Sequence, residues 1–321
     1  MKTQTLAFFG VAAFAAAACS HSASGPTGPT NTAPPPRADF TGDDAALIPS
    51  TMQLVASLDW PRVHSSALFG QFVQPKLDAE PQLTMVKSTC GFDPFATVTS
   101  VTLAVADLDR GKSDAEVIVR GLPRDQWLAC LPKLVTQAPA GSKVVQDKDT
   151  WTFSKDNDTV AMRFINASTA LLVLGQHASQ VGTDALLDGG ASAMPSSQAY
   201  VAMQAKLTGH AAWFVANMAG HPTSDMPGLS AVFGSADVSD GLAADITLRF
   251  ASPDAAQSQA QQLKAASAQL QMFVTKLDIA ANDKDVGVQA AIDHDKLVQL
   301  LQLMMGGGGG PGPGPMTPPG K

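Results

Sequence analysis

Between Leu47 and Met305 apolar and polar residues alternate at two periods, and the exchange between them marks out the elements of the chain. A period of two puts successive side chains on opposite faces of a strand, whereas recurrence at three and four residues paints one stripe of a helix. Met52 to Leu58 and Ala211 to Met218 read as opening strands. Two strand pairs follow. Val98 to Ala106 turns through Asp107 to Gly111 into Glu116 to Arg120, and Ser230 to Ala236 turns through Asp237 to Gly241 into Asp245 to Phe250. The second member of each pair runs acidic, apolar, then Arg, so Val117 and Val119 match Ile246 and Leu248 on one buried face.

Each pair leads into a helix opened by proline, which loses nothing where the first-turn N–H has no helical partner. Pro123 begins one, with Trp127, Leu128, Leu131, Leu134 and Val135 on its stripe, and Pro132 predicts a kink or an early stop. Pro253 begins the other after the N-cap Ser252, with Ala256, Ala260, Leu263, Leu270 and Val274 aligned. Two similar turns, Gln146 to Asp149 and Asn282 to Asp285, then join further strands, and helices near His177–Leu187 and His294–Met304 close the pattern. A helix from Pro61 to about Gln74 and another from Ser196 to Leu207 complete it. These correspondences predict an α+β chain of two related antiparallel-sheet units, residues 47–190 and 191–305, with helices packed on one face.

Both ends are poor core material. Met1 to Ala18 carries Lys2 and then an uncharged run from Leu6 to Ala18, the length of a signal-peptide core and too short to span a bilayer. It ends in Ala16-Ala17-Ala18-Cys19, which resembles a bacterial lipobox, with Ala16 where such signals more often have Leu. That resemblance implies cleavage before Cys19 and a lipidated cysteine. Ordinary secretory cleavage, leaving Cys19 a plain thiol, is the alternative. Residues 19–46 are rich in Pro, Thr, Ser, Gly and Ala and read as a disordered tether; residues 306–321 read as a disordered Gly/Pro tail. Together with duplicated units and the strand opening Leu58-Asp59-Trp60, this layout resembles a loose group of exported bacterial lipoproteins of unknown function, and no activity comes with the resemblance.

Losing the leader would take Lys2 with it and move the net charge from −7 to −8. An acidic chain without a basic stripe is a poor partner for nucleic acid. In an exported chain Cys90 and Cys130 read as a disulfide, with two buried free thiols as the alternative.

Candidate chemistry is sparse. The sequence has no G-x-S-x-G, S-x-x-K, H-E-x-x-H or phosphate-loop motif, which lowers the serine hydrolase, zincin and P-loop readings. His64, His177, His210, His221 and His294 are unpaired at helical spacing; His210 and His221 flank one strand. Of the 28 acidic residues all but Glu80 and Glu116 are Asp, and the pairs Asp107/Asp109, Asp147/Asp149, Asp156/Asp158, Asp283/Asp285 and Asp293/Asp295 read as turn residues. No catalytic, metal or cofactor set is predicted. Trp60, Trp127, Trp151 and Trp213, with Phe69, Phe72, Phe92, Phe95 and Phe214, either fill the core or line an apolar groove. Three functions follow: an envelope lipoprotein held by Cys19 in the outer membrane that binds or scaffolds another envelope protein, a periplasmic carrier of a lipid or other hydrophobic ligand, or a divergent hydrolase.

Overall fold

The computed structural model describes residues 43–306, apart from 109–113, 138–140, 157, 189–192, 204–208, 222–225 and 268–272; the side chains of 301–306 are also outside the description. The leader, Cys19, most of the tether and the tail lie outside the described residues.

Among the described residues twelve strands join one antiparallel sheet: β1 (Leu54–Asp59), β2 (Ser100–Val105), β3 (Ala115–Arg120), β4 (Lys143–Asp147), β5 (Thr150–Lys155), β6 (Asp158–Phe164), β7 (Thr169–Leu174), β8 (Ala212–Asn217), β9 (Leu229–Asp237), β10 (Gly241–Phe250), β11 (Lys276–Asn282) and β12 (Asp285–Asp293). Their spatial order is β11-β12-β10-β9-β8-β1-β2-β3-β7-β6-β5-β4. The two expected opening strands, β1 and β8, lie side by side at the centre, with Ala56 opposite Phe214. From that seam the order β1-β2-β3 on one side mirrors β8-β9-β10 on the other. The chain is α+β, with a large antiparallel sheet as its frame.

The helices are α1 (Trp60–His64), α2 (Gln74–Asp78), α3 (Pro81–Cys90), α4 (Arg124–Val135), α5 (Gln180–Leu187), α6 (Gln198–Met203), α7 (Pro253–Ser267) and α8 (His294–Gly306). Directly opposite residues of antiparallel strands share a face. The row Ala56, Leu103, Val117, Leu172 and Met162 therefore marks one face, and α3 and α4 pack over it. On the same face of the other half, Leu248 and Val286 meet Ala256 and Ala260 of α7. The Ser252 hydroxyl caps α7 by accepting from the Ala255 N–H at 3.2 Å. On the reverse face, near the seam, Val55, Ala104 and Phe233 are covered by α6 and by a 3-10 turn, Asp44–Leu47.

Several expectations need amendment. The tether was expected to run through Ala46, yet Asp44, Ala45 and Leu47 are buried. Asp44 is held there by polar contacts that composition does not reveal. The helix expected from Pro61 to Gln74 is broken into α1, a π-helical turn Phe69–Val73 and α2; Pro75, without an N–H, interrupts the ladder. The proline-led helix α4 begins one residue beyond Pro123, which serves as its N-cap, and runs through Pro132 to Val135. The helix expected to start at Ser196 is a 3-10 turn followed by α6. The turn Gln146 to Asp149 joins β4 to β5 at one edge of the sheet and Asn282 to Asp285 joins β11 to β12 at the other, but two more strands, β6 and β7, stand between β5 and β3, whereas β12 borders β10 directly. Each of the two turns has a left-handed residue at the same place in its hairpin, Lys148 and Asp283.

The candidate functional site, an apolar cavity beneath a disulfide-tied roof

The face under α3 and α4 is not filled. A cavity of about 280 Å³ lies between these helices and the strands β1, β2, β3 and β7. Its floor follows from alternation, since Leu58, Val101, Val117, Val119, Leu172 and Leu174 all point to one side. The roof is Leu83 and Val86 of α3 and Trp127 of α4, and one end is closed by Trp60, Phe95 and Val98. Water gains little in such a chamber, because a buried water needs two or more polar partners.

The roof is held by covalent and aromatic contacts. Cys90 ends α3 and Cys130 sits within α4; they form a disulfide with Cα atoms 5.3 Å apart. Pro81 starts α3 and Gly91, at φ 74°, ends it in the left-handed conformation that glycine tolerates. Phe92 then sets its edge against the Trp127 ring at 5.5 Å between centroids. Trp60 is stacked on Phe95 at 5.2 Å and meets the edge of Phe69 at 5.4 Å. The buried Trp127 indole N–H has no acceptor among the described residues.

A second cavity of about 260 Å³ adjoins the first, sharing Trp60, Leu83, Phe95 and Val98 as walls, and its remaining lining includes His64, Gln74, Lys87 and Asp93. Lys87 Nζ lies 2.8 Å from Asp93 Oδ2. Partial burial pushes the Asp93 carboxyl up, but hydrogen bonds from the Lys87 ammonium and the Phe95 N–H, with the charges of Lys87 and His64, outweigh that and hold it below its usual range. His64 packs between Trp60 and Phe69, at 5.8 and 4.9 Å.

Of the aromatic residues singled out from sequence, Trp60, Trp127 and Phe95 line the apolar cavity, and Phe69 and Phe92 support it. Trp151 packs at the margin of the same core, whereas Trp213 turns to the reverse face beside Tyr200. The histidines do not converge. His210 pairs with Asp237 at 2.7 Å, His177 lies 3.7 Å from Asp114, and His221 is at the other end of β8 from His210. Among the described residues no group of three or more His, Cys, Asp or Glu could hold a metal ion. The Asp pairs split up: Asp149 reaches Arg163 at 2.7 Å, and Asp285 receives both Nε and Nη2 of Arg249 at 2.8 Å.

No family model matches the chain, and no curated protein does either. Its fold has been seen before. The chain is similar to the structure of crystal form I of TP0453, at TM-score 0.53 and 10% identity over 82% of this chain and 97% of that one. Crystal form IV of the same protein gives TM-score 0.52 and 9% identity over 80% and 95%. At such identity the likeness is one of fold.

Proposed function

We propose that this protein is a non-enzymatic carrier that shields a hydrophobic ligand, such as a lipid acyl chain, in the chamber under α3 and α4. The observation that carries this reading is the cavity itself: about 280 Å³, walled by aliphatic and aromatic side chains, between a sheet and two helices. Empty apolar space forgoes the dispersion contacts its walls would otherwise make, so an apolar occupant is favoured over both vacuum and water. Its size falls just below the roughly 300–1,000 Å³ of pockets that take small molecules. In the same proposal the leader and Cys19 deliver the carrier to the envelope and tether it by acyl chains to the outer membrane, where its cargo is found.

The test is extraction of the protein purified from its membrane, followed by mass spectrometry of what co-purifies. A stoichiometric lipid beyond the covalent anchor is expected. A Val117→Trp variant, which fills the chamber from its floor, is expected to fold and to arrive empty. Equal lipid content in the two proteins would sink the reading.

A further inference from the structure

We infer that the two adjoining cavities form one amphiphile site, and that its ligand is a single-chain lipid with a zwitterionic head carrying phosphate and ammonium. This rests on the carrier reading above and adds to it the ligand class.

The geometry divides the labour along α3. Leu83 borders both cavities, Val86 faces the apolar one, and Lys87, one turn beyond Leu83, faces the other. An elongated ligand lying under this helix therefore passes from purely apolar walls to walls bearing charge. A chamber of about 280 Å³, just under the usual range of small-molecule pockets, suits a single alkyl chain. The unsatisfied Trp127 N–H within the roof suits an acyl ester, whose carbonyl oxygen would supply the missing acceptor.

Charge fixes the head. The polar cavity contains one ammonium and one carboxylate already in contact, Lys87 and Asp93. A fatty-acid carboxylate that takes Lys87 competes with Asp93 for that cation and comes to lie beside a like charge. A head with both signs lies antiparallel to the pair, its phosphate toward Lys87 and its ammonium toward Asp93, and no charge loses its partner. Trp60 and Phe95, stacked at the junction, offer π faces to that ammonium.

The experiment titrates the mature full chain with three probes of equal chain length, each below its micelle threshold: dodecylphosphocholine, laurate and dodecyl maltoside. Tryptophan fluorescence reads occupancy, because Trp60 and Trp127 are wall residues. Dodecylphosphocholine is expected to bind about tenfold more tightly than laurate at neutral pH, equivalent to one well-formed polar contact. Asp93→Asn is expected to erase that lead by strengthening laurate, and Lys87→Met to weaken both charged probes while leaving the maltoside unchanged. Equal affinity for all three, or preference for laurate, overturns the head assignment and leaves the carrier reading intact. Binding of none of the three overturns both. The wild-type ranking decides the matter even if a variant fails to fold.

Discussion

Cys90 and Cys130, forty residues apart in sequence, staple the end of α3 to the middle of α4 directly above the apolar chamber. A cross-link over that span removes loop-closure entropy from the unfolded chain worth roughly 4 kcal/mol. Cys90→Ser is therefore expected to lower the midpoint of thermal unfolding by on the order of 10 °C under oxidising conditions. With reductant present the two proteins should melt together, and identical melting without it would mean that the staple contributes nothing.

Glu116 carries the opposite burden. It lies in β3 on the reverse face, 4% exposed, with Oε2 unpartnered among the described residues. Burial, with a smaller push from Asp114, raises its carboxyl to about 8. A folded state that keeps this proton is stabilised at low pH relative to an unfolded one that releases it near 4.5. The contribution is whole below that value and declines as pH climbs toward 8. Glu116→Gln should flatten the decline, so that denaturant midpoints of the two proteins diverge by on the order of a few kcal/mol at alkaline pH. Parallel pH profiles would refute this.

Asp44 is the hub of a buried polar chain. It accepts from the Thr102 hydroxyl at 2.8 Å and from Arg120 Nε at 2.6 Å, and Thr102 is 2.9 Å from the Ser57 hydroxyl. Asp44→Ala takes one carboxylate from Arg120 and the acceptor from the Thr102 hydroxyl, and is expected to cost about 1–3 kcal/mol by chemical denaturation. A loss under 1 kcal/mol would show that the chain is dispensable.

Arg163 has a side chain only 8% exposed and lies between Asp149 and Asp184. A hydrogen bond from Gln180, together with Arg163 and the charge of Lys148, outweighs partial burial and depresses the Asp184 carboxyl. Stability from a depressed carboxyl is present above its unfolded value and is lost as pH falls through the folded one. Arg163→Met should thus cost most at neutral pH and progressively less below about pH 4, as followed by circular dichroism. A constant deficit would contradict the pairing.

Cys19→Ala is expected to shift the protein from the membrane fraction to the soluble fraction in a cell-fractionation blot. Unchanged retention would mean that some other feature holds it there.

The alternating strands were legible because half-buried strands write their period into the sequence, as β1, β2, β9 and β10 do. Neither β6 nor β7 was. Thr169–Leu174 is buried on both sides, and a strand covered twice reads as an unbroken apolar run with no period to detect. The helix α3 escaped notice for a related reason: only Leu83 and Val86 are fully buried in its ten residues, so its stripe is thin even though Pro81 and Gly91 punctuate it. Trp60, Trp127 and Phe95 could be named as groove candidates from type alone. That the space beside them is hollow could not, because a void is the difference between the volume the backbone encloses and the volume the side chains fill. Likewise, nothing local links Asp44 to Arg120; their meeting depends on how the chain returns across the sheet.

The Tyr200 hydroxyl donates to Asp43 at 2.5 Å, and with Asp44 this pins the first described residues to the side of the sheet away from α3 and α4. Any leash fastened upstream of Asp43 thus grips the molecule by its back. The cavity and the helices α3 and α4 that roof it lie on the opposite face, out of contact with that anchorage.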